Sequence, residues 1–357
     1  MQINFKNKRI ASILGVLPEQ EYLFDDEVNN YSFPVRQTLR LKKVMGFNKH
    51  RLAKDSSCVS DFAVYAVNYM LENNWLDRDE IGAVIAVTLC PDYFVPHISN
   101  IVQAKCDLSN NILCLDIAQG CCGFLIGLMQ IFMLLDKLEN KKIILINGDV
   151  LSHKVSKRDR NDFPLIGDGA AVTVLENCDN YNNNIYFEMH MDGKRGDALK
   201  VPAGGFRMPC SPETAVMQDQ GDGNFRALDN MHMDGSAVFN FVQAEVPPML
   251  ESAFKNSNLE LNNIDYFLFH QPNKFMLKKL AEKANLPEDK LPMNLVENYG
   301  NLSGASIPFI IALNLQEEFL KYEYKCCLSA FGSGLSWGVM FMNIGKLEHC
   351  EIIESNL

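Results

Sequence analysis

Between residues 121 and 137 the chain reads CCGFLIGLMQIFMLLDK, with Gln130 the only strongly polar side chain before Asp136. At helical spacing such a segment has no polar face. It therefore needs cover on every side and belongs in the centre of a large protein. Its apolar part, 121–135, is too short to cross a bilayer. Short apolar runs recur around it at 81–89, 111–118, 141–148, 170–176, 264–270, 324–332 and 337–344, most of them followed by a helical pattern. Continuous apolar strands are those of a sheet buried on both faces, which predicts an α/β protein.

The order of these segments repeats. IGAVIAVTL and IDYFLFH are each a turn and a buried strand. NILCLDIAQGCCGFLIGLMQIFML and PMNLVENYGNLSGASIPFIIALNLQ each read as a strand, a small-residue turn and a buried helix. KKIILINGDV and YKCCLSAFGSG are strands running into a glycine loop, and AAVTVLEN and WGVMFMNI close the series. With 357 residues the chain is long enough for two similar halves. The division expected is an N-terminal half over 1–180, an insertion or loop over 181–230, and a C-terminal half over 231–357. Within the middle segment, 193–230 is rich in glycine, proline and polar residues and lacks periodicity.

Thirty-three basic against forty-four acidic residues give a net charge of −11. That balance argues against broad binding to nucleic acid or to an anionic membrane, both of which need a basic footprint. The eleven cysteines show no CxxC spacing and no zinc-finger cluster. The start, MQINFKNKRI, lacks the apolar core of a signal peptide. A reducing cytoplasm is the expected setting, with most thiols acting as small apolar core residues.

Four places carry candidate chemistry. In DIAQGCCGF a strand ends in a tight turn, and a buried helix is expected to begin at Cys121. The positive end of that helix would favour a thiolate, and Gly123 would let a substrate or backbone approach closely. Cys122 shares the turn, and spacing alone does not choose between the two; either also suits a core. His270 ends an apolar strand in FLFHQPN, where catalytic groups of α/β proteins collect, though a lone histidine is more often structural. Asn301 in NYGNLSGASIP offers an uncharged amide donor in what is equally an ordinary helix start. FGSGLSWG, at 331–338, is either a hairpin turn or a loop presenting backbone N–H groups to an oxyanion.

Taken in order, these segments resemble the thiolase superfamily and, within it, the β-ketoacyl-[acyl-carrier-protein] synthase III branch. Five motifs carry the likeness: DIAQGCCGF, IGDGAA, HQPN, YGNLSGASIP and AFGSGLSWG. It runs from about residue 8 to 345, apart from 193–230. The resemblance implies a five-layer αβαβα fold of two duplicated halves and an obligate homodimer. It implies Cys121 as nucleophile with His270 and Asn301 as its partners, and an oxyanion hole from the backbone of Cys121 and Ser333. An acyl primer from acyl-CoA or an acyl-carrier protein (ACP) would load on Cys121. It would then undergo decarboxylative Claisen condensation with malonyl-ACP, in fatty-acid or related biosynthesis, with no metal or redox cofactor.

The resemblance extends to contacts. Arg160 has the family's spacing for stacking on the CoA adenine. Arg40 and Val44 stand where founding members carry a Trp and an Arg that hold the same ring, so Arg160 and Arg40 are the candidate CoA contacts. Pro272 replaces an alanine, and Phe275 an arginine. Tyr93 or Phe94 in CPDYFVP is the candidate gate of the acyl tunnel, contributed across the dimer interface. In KFMLKKLAEK, Lys274 and Lys278 share a helix face with Lys279 beside them, a basic face for an acidic carrier protein. Within the same fold the alternative is transfer of the acyl group to an amine, hydroxyl or β-keto acceptor. A degradative thiolase would carry a second cysteine in the late glycine loop, and FGSGLSWG has none. A cysteine hydrolase would share Cys, His and Asn, but no separate hydrolase motif appears. Retention of all three polar residues counts against a non-catalytic acyl-binding relative.

Overall fold

The computed structural model describes residues 1–357 except 139, 179–182 and 222. Its two large sheets are built from β1 (Gln2–Lys6), β2 (Lys8–Pro18), β3 (Ile81–Thr88), β4 (Leu113–Ala118), β5 (Lys142–Asp149), β6 (Gly169–Asn177), β7 (Asn184–Met191), β8 (Tyr266–Phe269), β9 (Glu323–Gly332), β10 (Ser336–Gly345) and β11 (His349–Ser355). The first sheet has the order β11-β2-β6-β5-β3-β4 and the second β1-β7-β10-β9-β8. The duplication is visible in the pairing. Parallel β3–β5, then antiparallel β5–β6 and β6–β2, match parallel β8–β9, then antiparallel β9–β10 and β10–β7.

The helices that matter here are α1 (Val35–Met45), α2 (Val59–Glu72), α3 (Ile98–Lys105), α4 (Gly123–Leu135), α5 (Gly235–Ser257), α6 (Lys274–Ala284) and α7 (Ser306–Asn314). The apolar helix is α4, and with α7 it fills the space between the two sheets. Phe124, Leu125, Leu128, Ile131 and Phe132 are all fully buried. Each is worth roughly 1.5–3 kcal/mol when taken out of water, which explains a helix without a polar stripe. Helices α2 and α3 pack on the outer face of the first sheet, α5 and α6 on that of the second. The result is five layers, α-β-α-β-α.

Three expectations from the sequence change. The halves are not separable blocks of chain, because β1 joins the second sheet through β7 and β11 joins the first through β2. The connector is also shorter than 181–230, since β7, Asn184–Met191, is a full strand of the second sheet; the boundary at 180 lies outside the described residues. The second half also has no counterpart of β4. Where the repeat predicts a strand before the Asn301 turn, the chain forms a short helix, Leu295–Tyr299, and a single bridge between Ile166 and Asn301. Asn298 and Gly300 punctuate that stretch, which leaves too few β-formers for a ladder.

Candidate active site

A cavity of about 1170 Å³ opens between the halves, and Cys121, Asn301, Ser303 and Ser333 all line it. Cys121 sits just before α4, whose N-cap is Cys122 rather than Cys121. The β9–β10 hairpin meets it from the other half. A Cβ added to Gly332 would lie 2.5 Å from the Cys121 sulfur, so only glycine admits the thiol there. The loop FGSGLSWG is therefore both a hairpin turn and part of the site. Gly123 serves differently from expectation: a Cβ there would meet Val87 at 2.7 Å, so its smallness lets α4 pack on β3 rather than admitting substrate.

The expectation of a thiolate is also corrected. Burial pushes the Cys121 thiol up from its ordinary value, and the nearby Asp149 carboxyl adds to the shift. Hydrogen bonding to the backbone of Ser333 and of Cys121 itself opposes it without reversing it. Desolvation by the surrounding protein atoms is the largest of these effects. Cys122 is sealed completely, its thiol facing the Ser336 carbonyl at 3.4 Å.

Asn301 is held by two glycine contacts. Gly300 has φ +81, and a Cβ on it would come within 2.5 Å of the Ile166 carbonyl, so YGN and IGDG stack backbone on backbone. The Asn301 N–H donates to the Leu165 carbonyl at 2.6 Å. Its side-chain oxygen accepts from the Ser303 N–H at 2.9 Å, which leaves the amide nitrogen as the group free to donate into the cavity.

His270 follows β8 and is anchored by its N–H donating to the Ser329 carbonyl at 2.8 Å. Its ring is almost wholly buried, edge-on to Phe331, and its Nδ1 has no hydrogen-bond partner. Burial lowers its pKa to about 4, partly opposed by the backbone of Ser303. At neutral pH the ring is thus uncharged and carries one N–H. The ring is set against the backbone of Ser303, which lines the cavity together with Asn273 and Asn301.

Two residues stand out only in three dimensions. Asp149 ends β5 and accepts from the Thr88 hydroxyl at 2.8 Å and the Leu89 N–H at 2.7 Å. Burial pushes its carboxyl up to about 6, against the side chain of Ser303, the Leu89 N–H and the side chains of Thr88 and Cys90. Ser303 has φ +50, and its backbone is the piece shared by Asn301 and His270. A lone Asp closing an apolar strand was the available signal for Asp149. Nothing local marks Ser303.

The remaining candidates are more scattered. Lys278 and Lys279 are exposed on α6, with Lys279 paired to Glu282 at 2.6 Å, while Lys274 is half-buried and faces Glu297 at 3.6 Å. Arg160 stacks on Phe33, whereas Arg40 is exposed on α1 and is not part of the cavity wall. Tyr93 and Phe94 also stay outside the cavity of their own chain; both are exposed, and Phe94 packs on Phe206 of the connector at 5.0 Å. Among the described residues no group of three or more His, Cys, Asp or Glu is placed to hold a metal ion, and no helix is long and apolar enough to cross a membrane.

Family models for 3-oxoacyl-[acyl-carrier-protein] synthase III match residues 115–193, and for its C-terminal part residues 254–344. A Campylobacter jejuni protein provisionally named 3-oxoacyl-[acyl-carrier-protein] synthase 3 is 33% identical, with 97% of each chain covered. The β-ketoacyl-[acyl-carrier-protein] synthase III of Lactococcus lactis is 31% identical over 83% of this chain and 88% of its own. The crystal structure of a 3-oxoacyl-(acyl-carrier protein) synthase from Burkholderia xenovorans superposes with a TM-score of 0.90, at 31% identity and 99% coverage of both chains.

Proposed function

Because this chain belongs to the 3-oxoacyl-[acyl-carrier-protein] synthase III family, we propose that it condenses an acyl group carried on Cys121 with a malonyl group delivered on acyl carrier protein. The observation that carries this reading is the convergence on one cavity of the Cys121 thiol, the Ser333 backbone and the Asn301 amide, with a neutral His270 set against the Ser303 backbone of the same lining.

The chemistry follows from those groups. The Cys121 sulfur attacks the donor thioester, its proton leaves with the donor thiol, and an acyl-enzyme remains. His270 and Asn301 donate hydrogen bonds to the malonyl thioester oxygen. They stabilise the enolate whose electron pair is left when carbon dioxide departs. That carbon attacks the acyl carbonyl, whose oxyanion sits between the backbone N–H groups of Cys121 and Ser333. Collapse expels the Cys121 sulfur and frees a 3-oxoacyl-ACP. The test is to incubate the protein with an acyl thioester and malonyl-ACP and identify the product by mass spectrometry. A 3-oxoacyl-ACP is expected. An acylated amine or alcohol formed from a supplied acceptor, with malonyl-ACP untouched, would replace this reading by simple acyl transfer.

The carrier protein is assigned to α6. Lys278 and Lys279 project from it beside the cavity wall made by Pro272, Asn273, Phe275 and Met276. Charge reversal at both should raise the apparent KM for malonyl-ACP, more at low salt than at high, because exposed charges are screened. An unchanged KM would move the docking face elsewhere.

The protein is also expected to act as a homodimer. Strand β4 is an open edge of the first sheet and exposes Leu113 and Leu115. Such an edge is a template for a second strand. Asp116 of β4 accepts from the N–H groups of Ile98 and Ser99 at 2.7 and 3.0 Å, which sets the exposed Tyr93–Val95 loop beside that edge. Pairing of two β4 edges would cover both and carry Phe94 towards the other protomer. Light scattering at micromolar concentration should give twice the chain mass; an active monomer would sink the assignment.

A further inference from the structure

His50 takes no part in the chemistry above, yet it is almost wholly buried and both of its ring nitrogens are engaged. It sits at the centre of the short strand Lys49–Arg51, which pairs antiparallel with Glu21–Leu23. Side chains alternate along a strand, so His50 turns inward while Lys49 and Arg51 keep partial exposure. Its Nδ1 lies 2.7 Å from the Ile166 carbonyl oxygen, and its Nε2 lies 3.2 Å from Oε1 of Glu27. A carbonyl oxygen only accepts, so Nδ1 carries a proton and donates it. Glu27, buried at the end of the short helix Phe24–Glu27, holds the other nitrogen through a second proton. Phe163 meets the imidazole edge-on at 5.4 Å. The ring is therefore fixed at both nitrogens and by an aromatic neighbour.

The carbonyl that His50 holds belongs to the backbone on which Asn301 rests. Ile166 and Asn301 form a bridge. Within it the Asn301 N–H donates to the Leu165 carbonyl at 2.6 Å, and the Gly167 N–H donates to the Asn301 carbonyl at 3.2 Å. The Ile166 carbonyl and the Gly167 N–H are the two ends of one planar peptide unit. His50 grips one end and Asn301 the other, so a rotation that frees the carbonyl from His50 also withdraws the N–H from Asn301. There is no slack to absorb such a rotation. A Cβ on Gly300 would lie 2.5 Å from the Ile166 oxygen and 2.5 Å from the Gly167 nitrogen, so a tilted plane pushes on the residue before Asn301. Leu165, Ile166 and Asn301 all line the cavity, and the movement is felt there.

We propose that His50, oriented by Glu27, is a positioning residue for Asn301: through the Ile166–Gly167 peptide its ring holds the Asn301 amide where the malonyl thioester oxygen binds. This rests on the reading of Asn301 as a donor in the decarboxylating half-reaction. His50 touches no substrate. It acts because a donor aimed at developing charge is effective only in a fixed geometry.

The test measures two half-reactions of the full-length protein: carbon dioxide release from malonyl-ACP, and acylation of Cys121 by an acyl thioester. His50→Leu keeps the bulk and loses the donor. It should lower kcat for release by about 10- to 100-fold, the scale of a small misplacement of a reacting group, with KM little changed and acylation close to wild type. His50→Asn places an amide nitrogen where Nδ1 stood and should restore most of that loss. His50→Gln reaches Glu27 instead of Ile166 and should resemble His50→Leu, which keeps the test open if the leucine variant does not fold. In an Asn301→Ala background, His50→Leu should cost release almost nothing more, because the group it positions is already gone. Equal losses in both half-reactions would overturn the proposal, as would a full additional loss on Asn301→Ala or a His50→Asn variant as impaired as His50→Leu. So would wild-type release by both His50→Leu and His50→Gln while Asn301→Ala is impaired. Release that Asn301→Ala leaves unchanged would overturn the reading of Asn301 itself, and this inference with it.

Discussion

Cys121→Ala should take up no acyl group from any thioester donor, whereas Cys122→Ala should still form an acyl-enzyme. The two thiols are neighbours in sequence but not in environment. Cys121 lines the cavity and faces the Ser333 backbone, which is placed to receive the oxyanion of the attacked carbonyl. Cys122 is fully buried, points at the Ser336 carbonyl and has its thiol driven well up, chiefly by burial. No donor carbonyl can reach it without unfolding the start of α4. Peptide mapping of the labelled protein checks the assignment, and an acyl group found on Cys122 would reverse it. The same desolvation predicts how the free enzyme meets a simple alkylating agent. Because the Cys121 thiol is pushed up, labelling by iodoacetamide should be slow at neutral pH and should accelerate as pH rises. A thiol alkylated at full rate near pH 6 would mean that the helix terminus, not burial, governs this sulfur.

His270→Ala and Asn301→Ala should each lower carbon dioxide release from malonyl-ACP by about 10²–10³, the usual loss for one oxyanion-type donor. Both should retain acylation of Cys121, because neither group touches that half-reaction. Conversely, Cys121→Ala should keep some decarboxylation while losing condensation. The two donors act on one oxygen, so the double variant should cost less than the product of the singles. The charge state adds a second readout. Burial disfavours the imidazolium and brings His270 to about 4, so the ring stays neutral as pH falls from 8 to about 5. The ratio of wild-type to His270→Ala decarboxylation should therefore be flat over that range, a comparison in which the titration of Asp149 cancels. A ratio rising through pH 6.5 would show that the charged ring is the active form. Wild-type release of carbon dioxide by His270→Ala would remove the condensing mechanism and leave acyl transfer to an amine or hydroxyl in its place.

Much of this was written locally in the chain. The run from Cys121 to Leu135 demanded burial on all sides, and α4 lies between two sheets. The alternation of apolar strands and helices, and its repetition, specified a duplicated α/β architecture because hydrophobic period is a property of neighbouring residues. The motifs HQPN and YGNLSGASIP likewise placed His270 and Asn301 at strand and helix ends, and Lys274 to Lys283 on one helix. Prediction was weaker where small residues had two uses: Gly123 is a packing contact with Val87, and the Asn301 turn lacks the strand that the repeat called for.

What only the tertiary structure decided are quantities set by distant segments. Gly332 and Ser333 meet Cys121 from the other half of the chain, and desolvation there reverses the thiolate expected from the helix end, since burial is a sum over neighbours that no window of sequence contains. Ser303 acquires its role through hydrogen bonding to Asn301 and His270, and Asp149 through the fold that lays β5 beneath them. The exchange of β1 and β11 between sheets is decided by strand pairing across almost the whole chain. Phe33 on Arg160 is of the same kind. A ring from before α1 reaches the Arg160 guanidinium because stacking depends on position in space and not on spacing along the chain.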